Sequence, residues 1–191
     1  MKKLIGSFLL ASVVSSISSF GQADAYSIGD VGPSGGFIFY VDPAENKKLP
    51  AGFTYLEAAP VDQAEKSTWS NVTNEKINTT KTGLGAGASN TEAIVSQPGH
   101  KMSAARRCKE YVLNGFGGWF LPSKDELKLM FENICRGKKM GGFPAMGTYW
   151  SSSEDDVSAN SAWGQQFYIE GFQDNFLKSY NVVRVRCARA F

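Results

Sequence analysis

The stretch NGFGGWFLPSKDEL, Asn114 to Leu127, decides how the rest of the chain is read. Its glycines supply the positive-φ turns that stop a helix arriving from the N-terminal side. A short extended run, Trp119 to Pro122, follows at once. Ser123-Lys124-Asp125-Glu126 then has the form of a capping box, in which the serine and glutamate side chains each satisfy the other residue's free N–H. The helix predicted from it runs through Leu127, Met130, Phe131 and Ile134. The stretch is therefore a rigid corner between two amphipathic helices.

Upstream of the corner, Ser103 to Leu113 places Ala104, Ala105, Cys108, Tyr111 and Val112 at three- and four-residue spacing, opposite Arg106, Arg107, Lys109 and Glu110. Ser89-Asn90-Thr91-Glu92 reads as another capping box, opening a short helix at Ala93-Ile94-Val95. Two strands are expected earlier, in Gly36 to Asp42 and in Phe53 to Pro60. Val61 to Gly87 is polar apart from Trp69 and reads as a long surface excursion. Downstream, RGKKMGGFPAMG is a basic loop, and TYWSSSEDD, AWGQQFYIE, GFQDNFLKS and YNVVRVRCARAF follow at the spacing of an antiparallel meander. Strands at both ends with helices between them predict an α+β domain rather than a parallel βαβ fold.

The first residues stand apart from that domain. Met1-Lys2-Lys3, the apolar run Leu4 to Val14 and the small-residue pattern Ala23-Asp24-Ala25 predict a signal peptide over 1–25, leaving 26–191 as one domain. The apolar run is too short to span a bilayer comfortably, and no later segment approaches that length, so no membrane span is expected. A net charge of +2 gives no global field for nucleic acid. Export makes disulfides permissible. Three cysteines allow one bridge and leave one thiol. Cys108 in the helical stretch and Cys187 in the strand-like end are the expected pair, with Cys135 left over. None of the three lies in a Cys/His ligand pattern, and the only histidine is His100, so no metal site or cofactor is expected.

The succession GDVGPSGGFIFYVD, YLEAAP, GLGAGASNTEAI, a cysteine-bearing helix, the corner, YWSSSE, AWGQQF and RVRCARAF covers nearly the whole chain beyond the predicted signal. It resembles the family typified by the C-terminal domain of a bacterial collagen-like adhesin. Members of that family look like variants of the C-type-lectin fold, related to domains of the formylglycine-generating-enzyme type. The resemblance implies a looped antiparallel sheet, two flanking helices, and N- and C-terminal strands paired together. It also implies that a helix cysteine bridges to the last strand, with Cys108 and Cys187 in matching places. In that fold Trp119, Phe120 and Leu121 are core, and Pro122 fixes the entry to the next helix.

Several clusters invite a chemical reading. Gly83 to Gly87 lacks the Lys-Ser/Thr of a phosphate loop and reads as a structural turn. Glu154-Asp155-Asp156 offers hard oxygen donors for calcium, without the triplets of calcium-binding lectins. A single histidine gives no convincing Ser/His/Asp order, so no enzyme is expected. Arg184 and Arg186 alternate with Val183, Val185 and Cys187 and are expected to pair with a carboxylate such as Asp125 or Glu126. Arg136, Lys138 and Lys139 are mobile charge suited to an anionic polysaccharide. Trp150 and Trp163 offer rings on which sugars stack, and Ser151, Ser152, Gln165 and Lys178 offer polar partners; the resemblance places the ligand surface in this C-terminal looped region. The expected partner is a glycan or anionic polysaccharide, with a host or surface protein as the alternative.

Overall fold

The computed structural model describes residues 25–45, 47–168 and 170–191; the predicted signal peptide lies outside them except for Ala25. The fold is α+β, with two sheets rather than one. The first sheet contains β1 (Phe37–Val41), β2 (Tyr55–Ala58), β4 (Trp119–Phe120) and β9 (Ala188–Ala190), in the order β1-β2-β9-β4. The second contains β3 (Ala64–Ser67), β5 (Gly147–Glu154), β6 (Ser161–Phe167), β7 (Gln173–Leu177) and β8 (Val183–Val185), in the order β3-β8-β5-β6-β7. The expected meander is present as β5-β6-β7, each pair antiparallel. The helices are α1 (Gly87–Val95), α2 (Ala104–Lys109) and α3 (Lys124–Met130), the last running on as a π-helical segment, Phe131–Gly137.

The corner is built as its residues dictate. Ser103 caps α2 by accepting from the Arg106 N–H. Gly118 holds φ +77°, a conformation that costs glycine little. Ser123 and Glu126 form the reciprocal capping box of α3. Adjacent strand residues point to opposite faces, and β4 uses this to join two cores. Trp119 is buried in the cluster around Trp69, Ile94, Trp150 and Val185, whereas Phe120 is buried in the cluster around Phe39, Leu127, Phe131 and Tyr149. Cys187 and Ala188 divide in the same way. The Cys108–Cys187 disulfide closes the first cluster, with Cα atoms 5.3 Å apart across 79 positions of sequence. Closing so long a loop removes chain entropy from the unfolded state worth on the order of 4–5 kcal/mol.

Several expectations are corrected. The N- and C-terminal strands share a sheet but do not pair: β2 bonds to both β1 and β9 and lies between them. The described residues hold the three helices that the residue patterns predict, where the resemblance implied two, but α2 ends at Lys109, leaving Val112 exposed. Ser89 to Glu92 is not a capping box, because α1 begins at Gly87 with Ala86 as an N-cap that makes no side-chain bond. At this first turn Gly87 packs where a Cβ would come within 2.7 Å of the Phe120 ring, so no larger residue fits without a shift. The polar excursion contains β3, and Trp69 is fully buried, its indole N–H donating to the Ser151 carbonyl at 2.8 Å. The Trp69 ring, the pairing of β3 with β8, and bonds of Asp62, Ile77 and Lys81 with distant residues fasten a segment that otherwise looks like loop.

Candidate functional site

Central strand β5 is covered on both faces, so nearly every residue in it is buried and the usual in-out alternation fails. Trp150 is fully enclosed and donates to the Ser67 carbonyl at 2.8 Å. Ser151 donates to the Trp163 carbonyl, and Ser152 accepts from the Asn90 amide. Gln165, on neighbouring β6, is buried with its amide N–H on the Gly171 carbonyl. Lys178 is fully buried, with its ammonium 2.6 Å from Glu154. All five sequence candidates are therefore interior groups; Trp150, Ser151, Ser152 and Lys178 are already paired inside the second sheet, whereas the side-chain carbonyl of Gln165 has no partner.

The clustered cations of the C-terminal end are likewise internal. Arg184 and Arg186 leave the disulfide face as the alternation requires, but their shared partner is Asp62 rather than Asp125 or Glu126. Arg186 approaches Asp62 to 2.6 Å, donates to the carbonyls of Ala59 and Gly141, and lies over the Phe143 ring. Tyr149 completes the group through its hydroxyl, 3.0 Å from Asp62; burial and the adjacent carboxylate push its phenol well above the ordinary range. Arg189 pairs with buried Glu57. Glu154 is held by Lys178 and by the N–H groups of Ile77 and Asn78, which removes it from the acidic run read as calcium donors.

Glu126 is the most perturbed carboxylate. Burial drives its pKa up to about 7, against the opposing pull of N–H bonds from Ser123, Gly87 and Gly85. Two of those donors belong to the glycine run, so that turn cradles an internal carboxylate. His100 is half-buried against the Ser103 hydroxyl. Cys135 is half-buried, and burial raises its thiol pKa.

Among the solvent-facing cations, those of 124–139 are gathered into a ridge, whereas Lys48, Lys66, Lys81 and Lys101 are exposed elsewhere. Lys128, Glu132 and Arg136 follow at four-residue steps, with both cations 3.9 Å from Glu132 and all three side chains substantially exposed. Lys138 and Lys139 are exposed just beyond it, and Lys139 holds φ +53°. At the other end Lys124 places its ammonium 3.2 Å from the centroid of the Trp163 ring. Arg136 lies over Phe131, which rests against Gly171 at the β6-β7 turn. The ridge thus follows the β6-β7 hairpin for roughly 18 Å of helix. Asp125, exposed, and Glu132, half-buried, are the acids of 124–139 that reach solvent, against five exposed or half-buried cations. Arg136, Lys138 and Lys139 are the site candidates that the structure leaves free, and half-buried Trp163 joins them through Lys124. Lys124 and Lys128 were not read as site residues, although their spacing to Arg136 already marked one helix face.

Among the described residues there is no group of three or more His, Cys, Asp or Glu placed to hold a metal ion, and no helix long and apolar enough to cross a membrane. Comparison with protein-family models, curated proteins and solved structures returned no match.

Proposed function

We propose that the chain is an exported, non-enzymatic ligand-binding domain that recognises an anionic polysaccharide through the ridge from Lys124 to Lys139. The observation that carries this reading is the division of the cations. Lys178, Arg184, Arg186 and Arg189 are neutralised inside the fold, whereas Lys128, Arg136, Lys138 and Lys139 face water with one carboxylate between them. A dense, solvent-facing run of cations with aromatic neighbours suits a flexible polyanion, which needs local charge more than a deep cavity. The disulfide and the signal-like start support export.

The resemblance to a C-type-lectin variant supports the same reading, as does a bridge running from α2 to the segment beside the last strand. Formylglycine-type oxidation needs a pair of reactive cysteines; here Cys108 and Cys187 are bonded, and Cys135 is held as a thiol by burial. A second reading, a module that binds a protein through the looped face, is favoured by exposed Phe172, Leu177, Tyr180 and Val182 around β7. The two readings part on one column. Residues 26–191 retained by immobilised heparin and eluted by salt support the first reading. Passage through heparin, with retention on a protein from the same envelope, supports the second.

A further inference from the structure

Lys124 is a lysine whose ammonium meets no carboxylate among the described residues. It lies instead on the face of Trp163, 3.2 Å from the ring centroid. Of the four tryptophans, Trp69, Trp119 and Trp150 are buried and only Trp163 is partly open to solvent. On the hairpin that carries Trp163, three buried polar atoms lack hydrogen-bond partners: the Trp163 indole N–H, the Asn175 side-chain carbonyl and the Gln165 side-chain carbonyl. They share one face of the β6-β7 hairpin, because Trp163 stands directly opposite Asn175 and Gln165 follows two positions along β6. Gln165 is 1% exposed, so its free oxygen is oriented by the fold and not by solvent. Natural interiors seldom leave such atoms unpaired. One donor and two acceptors beside an indole ring match a sugar residue, which stacks an apolar C–H face while its hydroxyls both donate and accept.

We propose that Lys124 is a displaceable cover over a subsite for one acidic sugar residue, formed by Trp163, Asn175 and Gln165. When the ligand enters, the lysine stem swings off the ring and its ammonium pairs with the ligand's carboxylate or sulfate. The ring receives the sugar face, and the unpaired atoms receive its hydroxyls. No bond is made or broken. The subsite rests on the polysaccharide reading and narrows it to one end of the ridge.

The test uses residues 26–191 and two disaccharides, a sulfated uronate-containing unit prepared from heparin and neutral N,N′-diacetylchitobiose. Tryptophan fluorescence reports on Trp163, and calorimetry gives affinities. The acidic unit is expected to change the fluorescence saturably, with the change absent in Trp163→Phe, a variant that keeps an aromatic ring in place. Lys124→Gln should weaken the acidic unit about fivefold, Lys124→Arg should restore it, and the neutral unit should bind Lys124→Gln at least as well as wild type. If Lys124→Gln and Trp163→Phe bind the acidic unit as wild type does, the subsite is wrong. Where polymeric heparin still binds those variants but not one changed at Arg136, Lys138 and Lys139, the ridge stands and only the subsite falls. Absence of heparin binding by wild type removes both.

Discussion

The molecule holds two populations of cations, and sequence type does not distinguish them. Lys178 and Arg186 are inside, each with a carboxylate at 2.6 Å and each also near an aromatic ring. Arg136, Lys138 and Lys139 are outside, and the nearest ion pair, Arg136 to Glu132, is 3.9 Å long. A buried ion pair is worth little relative to apolar packing, yet losing one partner is expensive because a charge is stranded without water. An exposed pair is worth a few tenths of a kilocalorie, and its loss is scarcely felt. The inner cations therefore fix which segments meet. Lys178 ties β5 to the segment around Glu75, to whose carbonyl it also donates, and Arg186 ties the start of β3 to Gly141. The outer cations are free to be chosen by a ligand.

The contrast breaks first, if it breaks, at the inner set. Lys178→Ala should cost about 3–5 kcal/mol in chemical denaturation, because Glu154 loses its cation partner; Arg186→Ala should cost less through its charge, because Asp62 keeps Arg184 at 3.0 Å. Replacing Lys178 by Met and Glu154 by Gln together should recover most of that loss, because Gln keeps an acceptor for the Ile77 and Asn78 N–H groups. If each single change costs no more than an exposed salt bridge, the inner cations are not structural.

Glu126 supplies a second inner case, a carboxylate with no cation beside it among the described residues. Its folded pKa of about 7 lies above the ordinary 4.5, so the contribution is fully present below pH 4.5 and is lost as pH rises through 7. The rise from 4.5 to about 7 corresponds to roughly 3 kcal/mol. Denaturation midpoints between pH 4.5 and 7 should fall with pH beyond what Glu126→Gln shows. Parallel curves for the two proteins would mean that the Gly85, Gly87 and Ser123 N–H bonds keep the carboxylate ionised.

The outer set should behave in the opposite way. Lys139 holds φ +53°, so Lys139→Gly should stabilise by about 1 kcal/mol while weakening polyanion binding. A loss of stability there would show that the Lys139 side chain has structural work after all.

How much of this was legible in sequence follows from which interactions are local. The corner was readable because a capping box and its glycines are decided within a few residues, and both formed. The burial of Trp119, Phe120 and Leu121 and the Cys108–Cys187 bridge likewise agree with the expectation. The partner of Arg186 was not readable, because Asp62 lies 124 positions away in a segment whose one aromatic residue is Trp69. Lys178 and the serines of β5 resembled surface groups since polar residues usually are; here each found a buried partner. Strand pairing failed for a similar reason. The alternation in YLEAAP and RVRCARAF marks strands but not their neighbours, and β2 took the place expected for β1. At the site, charge density was visible in Arg136 to Lys139, whereas the stacking of Lys124 on Trp163 joins helix to hairpin and exists only in three dimensions.

The central claim is that exposure, rather than cation content, assigns the binding role. The most direct measurement is heparin affinity of residues 26–191 across a salt series, comparing wild type with the variant carrying Arg136→Ser, Lys138→Ser and Lys139→Ser. Three exposed contacts at about 0.5 kcal/mol each predict roughly tenfold weaker binding. They also predict a flatter salt dependence, with stability within about 0.5 kcal/mol of wild type, because serine at position 139 keeps the same positive-φ backbone. Unchanged heparin affinity and salt dependence in a folded triple variant would contradict the account.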